Sequence, residues 1–273
     1  MQDSSITPAR SFFRSCSSWL SWQWIARRLP LMGTCLAALV AETPASAQEW
    51  EGRVTPYIWA SGLDGDASVL PSLPSVKVND DFADVIENLD IALMALVEAD
   101  NGRLYVRSDL FFASLTADGS TPSDLFSGAK LNTETFNLSA SAGIVAHQSE
   151  TSQLNLFAGG RLWNLNNELT FLPGVAPGRS VEADRTFITP IVGTSGTISL
   201  SDTVTANASA SLGGFGISGA DIEIGVSAGL GVELSNSFGL TFGYRYLYLD
   251  YENEGFIYDL AQHGPLVGVQ FRF

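Results

Sequence analysis

The chain has 273 residues, with 29 acidic against 14 basic side chains and a formal net charge of −15, enough for one large domain or two small ones. That balance excludes a nucleic-acid binder, which needs a basic face to meet phosphates, and a content of 45% hydrophobic and 11% aromatic residues excludes disorder. Only 16% of residues are charged, against roughly 25% in ordinary soluble domains, and 26 are glycine.

Residues 1–47 read as a secretory leader. Arg10, Arg14, Arg27 and Arg28 precede an apolar run from Leu29 to Ala41, followed by Pro44 and the triplet Ala45-Ser46-Ala47. The run is too short for the ~20 residues that cross a bilayer as a helix, so cleavage is expected after Ala47. Both cysteines, Cys16 and Cys35, fall inside this segment, so neither disulfide nor thiolate chemistry is expected beyond it. The expected organisation is a leader over 1–47 and one domain over 48–273, exported to a Gram-negative envelope.

Beyond Gln48 the pattern is alternation. Phe238, Leu240, Phe242, Tyr244, Tyr246 and Tyr248 share one parity, with Gly239, Thr241, Gly243, Arg245 and Leu247 between them. From Ile222 to Leu234 every second residue is apolar, and the others are Glu223, Gly225, Ser227, Gly229, Gly231 and Glu233. Successive strand residues point to opposite faces, so each segment has a greasy and a polar face. Such strands are longer than the 5–6 residues usual in soluble sheets. In lipid every backbone polar group must be paired, which forces closure. The chain is therefore predicted to be an all-β, antiparallel up-and-down transmembrane barrel of about ten strands, or eight if 203–221 is misread. The strands are placed near 49–61, 89–100, 103–115, 131–147, 152–171, 181–200, 203–213, 221–234, 238–250 and 261–273. Asn101-Gly102, 147–151, Ser201-Asp202 and 235–237 are short turns. Longer connections are expected at 62–88, 116–130, 172–180, 214–220 and 251–260.

Several stretches resemble a family of Gram-negative outer-membrane β-barrel proteins, mostly porin-like and uncharacterised: Thr55-Pro56-Tyr57-Ile58-Trp59, Asn88-Leu89-Asp90-Ile91-Ala92-Leu93-Met94, Gly243-Tyr244-Arg245-Tyr246-Leu247 and Gly264-Pro265. The terminal strand, with Gly268, Phe271 and Phe273, resembles the signal read by the outer-membrane assembly machinery, although Leu266 stands where that signal usually has a polar residue. The resemblance implies an outer-membrane location with periplasmic termini, and brings no activity with it.

Extending the parity gives the inward side chains. An ion-pair network is expected from Glu51, Arg53, Glu98, Arg107, Asp109, Arg161, Glu233, Arg245 and Arg272, with Arg103 nearby. Pairing Asp100 with Arg103 would set Glu98 opposite Tyr105. An aromatic mouth is expected from Tyr57, Trp59, Phe111, Trp163 and Phe187, with Phe215 as a further candidate. Small barrels are narrow enough for side chains to fill.

Within 62–88, Ser61 to Asp66 reads as a turn without the full acidic pattern of a calcium loop. Asp80 to Asn88 suggests a short Asp-capped helix with Phe82, Val85, Ile86 and Leu89 on one face, as a lid or against lipid. His147 lies at a turn and His263 on the outward parity, and no nucleophile, metal or nucleotide motif accompanies them. The expected function is a non-enzymatic, cofactor-free, metal-free monomeric barrel, structural or narrowly porin-like. Its expected partners are membrane lipid, lipopolysaccharide, the assembly machinery and a small solute. The alternative is a surface adhesin or ligand-binding barrel that uses Asp118, Asp124, Glu252, Glu254 and Asp259.

Overall fold

The structure is a computed structural model that describes residues 49–68, 75–120 and 125–273. The expected leader and Asp124 lie outside the described residues. The chain begins β1 (Glu51–Trp59), β2 (Gly62–Ala67), β3 (Val76–Asp80), α1 (Phe82–Glu87), β4 (Leu89–Asp100), β5 (Leu104–Gly119), β6 (Phe126–Gln148) and β7 (Ser152–Pro173). It continues β8 (Arg179–Ser199), β9 (Val204–Ile217), β10 (Ala220–Ser235), β11 (Phe238–Asn253) and β12 (Phe256–Arg272). β1 and β4 to β12 form a closed antiparallel barrel of ten strands, sealed where Arg53 lies opposite Arg272 and Trp59 opposite Leu266. The end that holds Glu51 and Arg272 is the near end, and the opposite end is the far end.

The alternation decides which face meets lipid. Ile91, Leu93, Ile144, Ile188, Val226 and Phe242 project outward and are each more than 40% exposed. No water-soluble protein would leave such a continuous apolar band uncovered. Along β11 the outward parity passes from Phe242 through Tyr244, Tyr246 and Tyr248 to Asp250, which marks the edge of the band. There the Tyr244 hydroxyl hydrogen-bonds His263 Nδ1 at 2.8 Å, and both Tyr244 and Tyr246 stack on the His263 ring.

β6, β7 and β8 have 23, 22 and 21 residues, about twice the 9–11 that a tilted strand needs to cross. Their excess length rises at the far end and turns polar. Asn164 Nδ2 donates to Asp184, Asn166 Nδ2 to Glu182, and Ser180 to Glu168.

Three expectations change here. The long connections at 214–220 and 251–260 are two-residue hairpins, because Ser218-Gly219 (φ 57° and 88°) and Glu254-Gly255 (φ 50° and 77°) take the doubly left-handed turn that matches strand twist. Likewise most of the described part of 116–130 is strand, and the connection over 172–180 shortens to 174–178. The acidic residues expected in loops therefore sit largely on strands: Asp118 on β5, Glu252 on β11 and Asp259 on β12, with Glu254 in a tight turn. The turn-like Ser61–Asp66 stretch is largely strand, since β2 continues the line of β1 along β12.

Around Asn101 the register differs by two residues. Asp100 lies opposite Tyr105 and Glu98 opposite Arg107. The Asn101 carboxamide oxygen accepts from the Arg103 and Leu104 amides, 3.2 and 2.8 Å, which widens the turn to four residues. A shift of two keeps every side chain on its face.

The wall parts at one seam. The β1–β4 ladder ends at Pro56–Ala95, and Pro56 has no N–H to continue it. Beyond it the Trp59 amide donates to the Met94 thioether at 3.3 Å, a weak acceptor in place of a strand carbonyl. α1 packs beside this parting, against β2 and β3. Asp81 Oδ1 caps it by accepting from the Ala83 and Asp84 amides, and Asp84 Oδ2 accepts in return from the Asp81 amide.

Candidate functional site

The lumen is filled in layers, each set by the inward parity of neighbouring strands. At the near rim Arg272 meets Glu233 at 2.7 Å. The next layer joins β1, β4 and β5. Glu98 is 2.9 Å from Arg107 and accepts from the Tyr105 hydroxyl, while Arg53 lies 4.0 Å from Glu98 and 3.9 Å from Asp100. Above it Arg245 of β11 reaches Asp109 of β5 at 2.7 Å, and Tyr57 of β1 bonds both.

The third interior layer is the most deeply buried. Arg161 of β7 and Glu223 of β10 meet at 2.6 Å. Trp163 Nε1 and the Thr189 hydroxyl donate to the other Glu223 oxygen, at 3.0 and 2.6 Å. Burying charge is costly unless the charges are paired and hydrogen-bonded. The three interior layers answer that cost with four carboxylates (Glu98, Asp100, Asp109, Glu223) and four guanidiniums (Arg53, Arg107, Arg161, Arg245). The acidic excess of the chain therefore lies outside the lumen.

Toward the far end polarity gives way to rings. Trp59, Phe111, Trp163 and Phe187 form one buried cluster with Leu247, Leu249, Tyr251, Phe256 and Tyr258. Phe187 stacks on Tyr251 at 3.9 Å between centroids, and Trp59 meets Phe111 edge-on at 5.8 Å. Arg245 joins the two zones by lying 4.8 Å from the Trp59 ring centroid. On the near side of the plug a cavity of about 140 Å³ is lined by small polar residues such as Ser139, Ser195, Ser209 and Ser227.

Of the sequence-derived residues, Arg53, Glu98, Arg107, Asp109, Arg161, Glu233, Arg245 and Arg272 all have charged partners, and Tyr57 packs against the aromatic cluster while its hydroxyl bonds Asp109. Glu51 is exposed, with no ion pair within 4.0 Å among the described residues. Arg103 is exposed in its turn. Phe215 is 56% exposed at a bulge with φ 55° and does not enter the lumen. Gly268 lies buried between β1 and β11, Phe271 packs outward against Phe238 at 5.8 Å, and the Phe273 ring covers Gly52, where a Cβ would come within 2.5 Å of it.

Sequence reasoning missed Glu223 as the central carboxylate, although its inward parity was readable. It also missed Thr189, which shares the inward parity of Phe187 within the expected strand 181–200, and Tyr251 and Tyr258, because β11 and β12 were drawn too short at the far end.

Outside the apolar band, Asp250 sits opposite Asp259. Partial burial, then the neighbouring charges of Asp259, Asp221 and Glu252, hold the Asp250 carboxyl above the ordinary carboxylate range.

A closed ten-strand wall, greasy outside and charge-paired inside, is the architecture of a Gram-negative outer-membrane β-barrel, and that membrane is where this chain resides. Its fold is similar to that of the outer membrane protease OmpT from Escherichia coli, with a TM-score of 0.52 at 10% identity over 85% of this chain and 99% of that one. The translocator domain of autotransporter NalP from Neisseria meningitidis gives 0.49 at 16% identity, covering 92% and 98%. The attachment invasion locus protein Ail of Yersinia pestis gives 0.35 at 11% identity, covering 82% and 98%. No protein-family model and no curated protein sequence matches the chain.

Proposed function

We propose that the chain is a closed, non-enzymatic outer-membrane barrel with a structural role, in which the filled lumen bars free passage of solutes. The observation that carries this reading is the far-end cluster, in which Trp59, Phe111, Trp163 and Phe187 are each at most 6% exposed. A barrel of about ten strands has only modest room beyond that needed by its own side chains, and here rings and ion pairs occupy it. Neither histidine supports acid–base chemistry in the lumen, since His263 stacks outside the wall and His147 is exposed at the near end of β6. In this reading the near end is periplasmic, the lipid partners lie along the apolar band, and Gly268, Phe271 and Phe273 serve the assembly machinery.

Planar-bilayer recording tests it. Protein extracted from outer membranes should show no steady single-channel steps in concentrated salt, and the variant W163A/F187A should show them. Steady steps from the wild-type protein would overturn the proposal.

A further inference from the structure

A second cavity, of about 130 Å³, lies at the far end beneath α1. Phe82, Val85 and Ile86 of α1 face Trp59, Met94 and Phe111 of the wall across it. Its size approaches the roughly 150 Å³ apolar cavity that stays dry and takes up benzene. Ser61, Thr133, Thr135, Gln262 and the Trp59 indole interrupt the apolar lining, and two of them hold a buried polar atom without a partner among the described residues. Trp59 is 3% exposed, and its indole N–H has no hydrogen-bond partner among the described residues. Gln262 is 6% exposed; one end of its amide bonds the Tyr258 hydroxyl at 3.3 Å, and Oε1 has no such partner. An empty greasy pocket gains nothing from an orphaned donor and an orphaned acceptor, because each lost its water on burial.

The cavity also has a short way out. Ile58 is 72% exposed, Ile86 52% and Phe82 39%, yet all three line it. Side chains that line it therefore also reach the outer surface, at the place where the β1–β4 ladder stops.

We propose that this cavity binds a small single-ring organic molecule carrying a hydroxyl group, of the size of phenol. The ring replaces the missing apolar contacts. The hydroxyl accepts from the Trp59 indole N–H or donates to Gln262 Oε1, and because it can do either it also suits the reversed orientation of that amide. Entry is from the outer surface past α1, not along the barrel axis. The site goes beyond the closed-barrel reading: conductance by the wild-type protein would overturn that reading and leave this one standing.

Fluorine NMR titration tests it, with 4-fluorophenol and fluorobenzene added to detergent-solubilised protein extracted from outer membranes, and with empty micelles subtracted. The expected result is saturable binding of 4-fluorophenol, about tenfold tighter than fluorobenzene, as one satisfied hydrogen bond provides. At least one of Trp59→Phe and Gln262→Leu should erase that preference while ring binding persists. Ala113→Leu, which fills the cavity, should abolish binding of both probes while the heat-shifted gel band remains; if it fails to fold, Ala92→Leu on the same wall serves instead. The proposal is overturned by non-saturable uptake, by equal affinity for the two probes, by a preference that survives both polar substitutions, or by binding that persists in a folded cavity-filled variant.

Discussion

The Glu223 carboxylate and the Arg161 guanidinium meet at 2.6 Å across the lumen, with side chains 1% and 6% exposed. They come from β10 and β7, which are not neighbours in the sheet, so this contact ties the barrel through its interior rather than along its wall. Trp163 and Thr189 complete the coordination of Glu223 and connect the charged layers to the aromatic plug.

Removing one partner leaves the other charge buried without compensation. Glu223→Gln is expected to destabilise the barrel by about 3–5 kcal/mol. The check is the temperature at which the compact band on a detergent gel converts to the unfolded one. The double replacement E223L/R161M should recover much of the loss, because an apolar pair of similar bulk needs no compensation. A single variant as stable as wild type would show that the pair contributes nothing.

Asn137 points to the opposite kind of change. It is fully buried on β6 between Phe111 and Trp163, and neither its carboxamide oxygen nor its nitrogen has a partner among the described residues. Asn137→Leu keeps the volume and removes the unsatisfied groups, so the unfolding temperature should rise, by an amount equivalent to about 1–3 kcal/mol.

Asp250 gives a pH dependence with a defined sign. Its carboxyl is raised in the folded state by partial burial and by Asp259, Asp221 and Glu252. A raised carboxylate stabilises the fold when protonated, and that contribution is lost as pH rises through the folded value. Asp250→Asn should therefore be more heat-resistant than wild type at pH 7. The difference should close as pH falls below about 3.9, where the unfolded aspartate is protonated too. Unfolding temperatures of both proteins across that range check it.

The strands were legible because period two is written into nearly every one, and β4 falls on the expected residues 89–100. Hairpin geometry was harder to read. Asn101-Gly102 suggested a two-residue turn, but the Asn101 side chain bonds two amides and widens it. Ser218-Gly219 and Glu254-Gly255 carried a glycine at the second of two positions with positive φ, and polar composition disguised them as loops. Partners in the lumen depend on which strands face one another across the barrel. Glu223 could be placed inward from sequence, but its meeting with Arg161 could not.

The account rests on a wall whose alternate residues face lipid, and quenching by brominated lipids measures that directly. A fluorophore placed in turn at Ile224, Gly225, Val226, Ser227 and Ala228 of β10, in a chain with Cys16 and Cys35 replaced by serine, should be quenched strongly at 224, 226 and 228 and weakly at 225 and 227. Uniform quenching along the strand, or none at any position, would contradict the barrel described here.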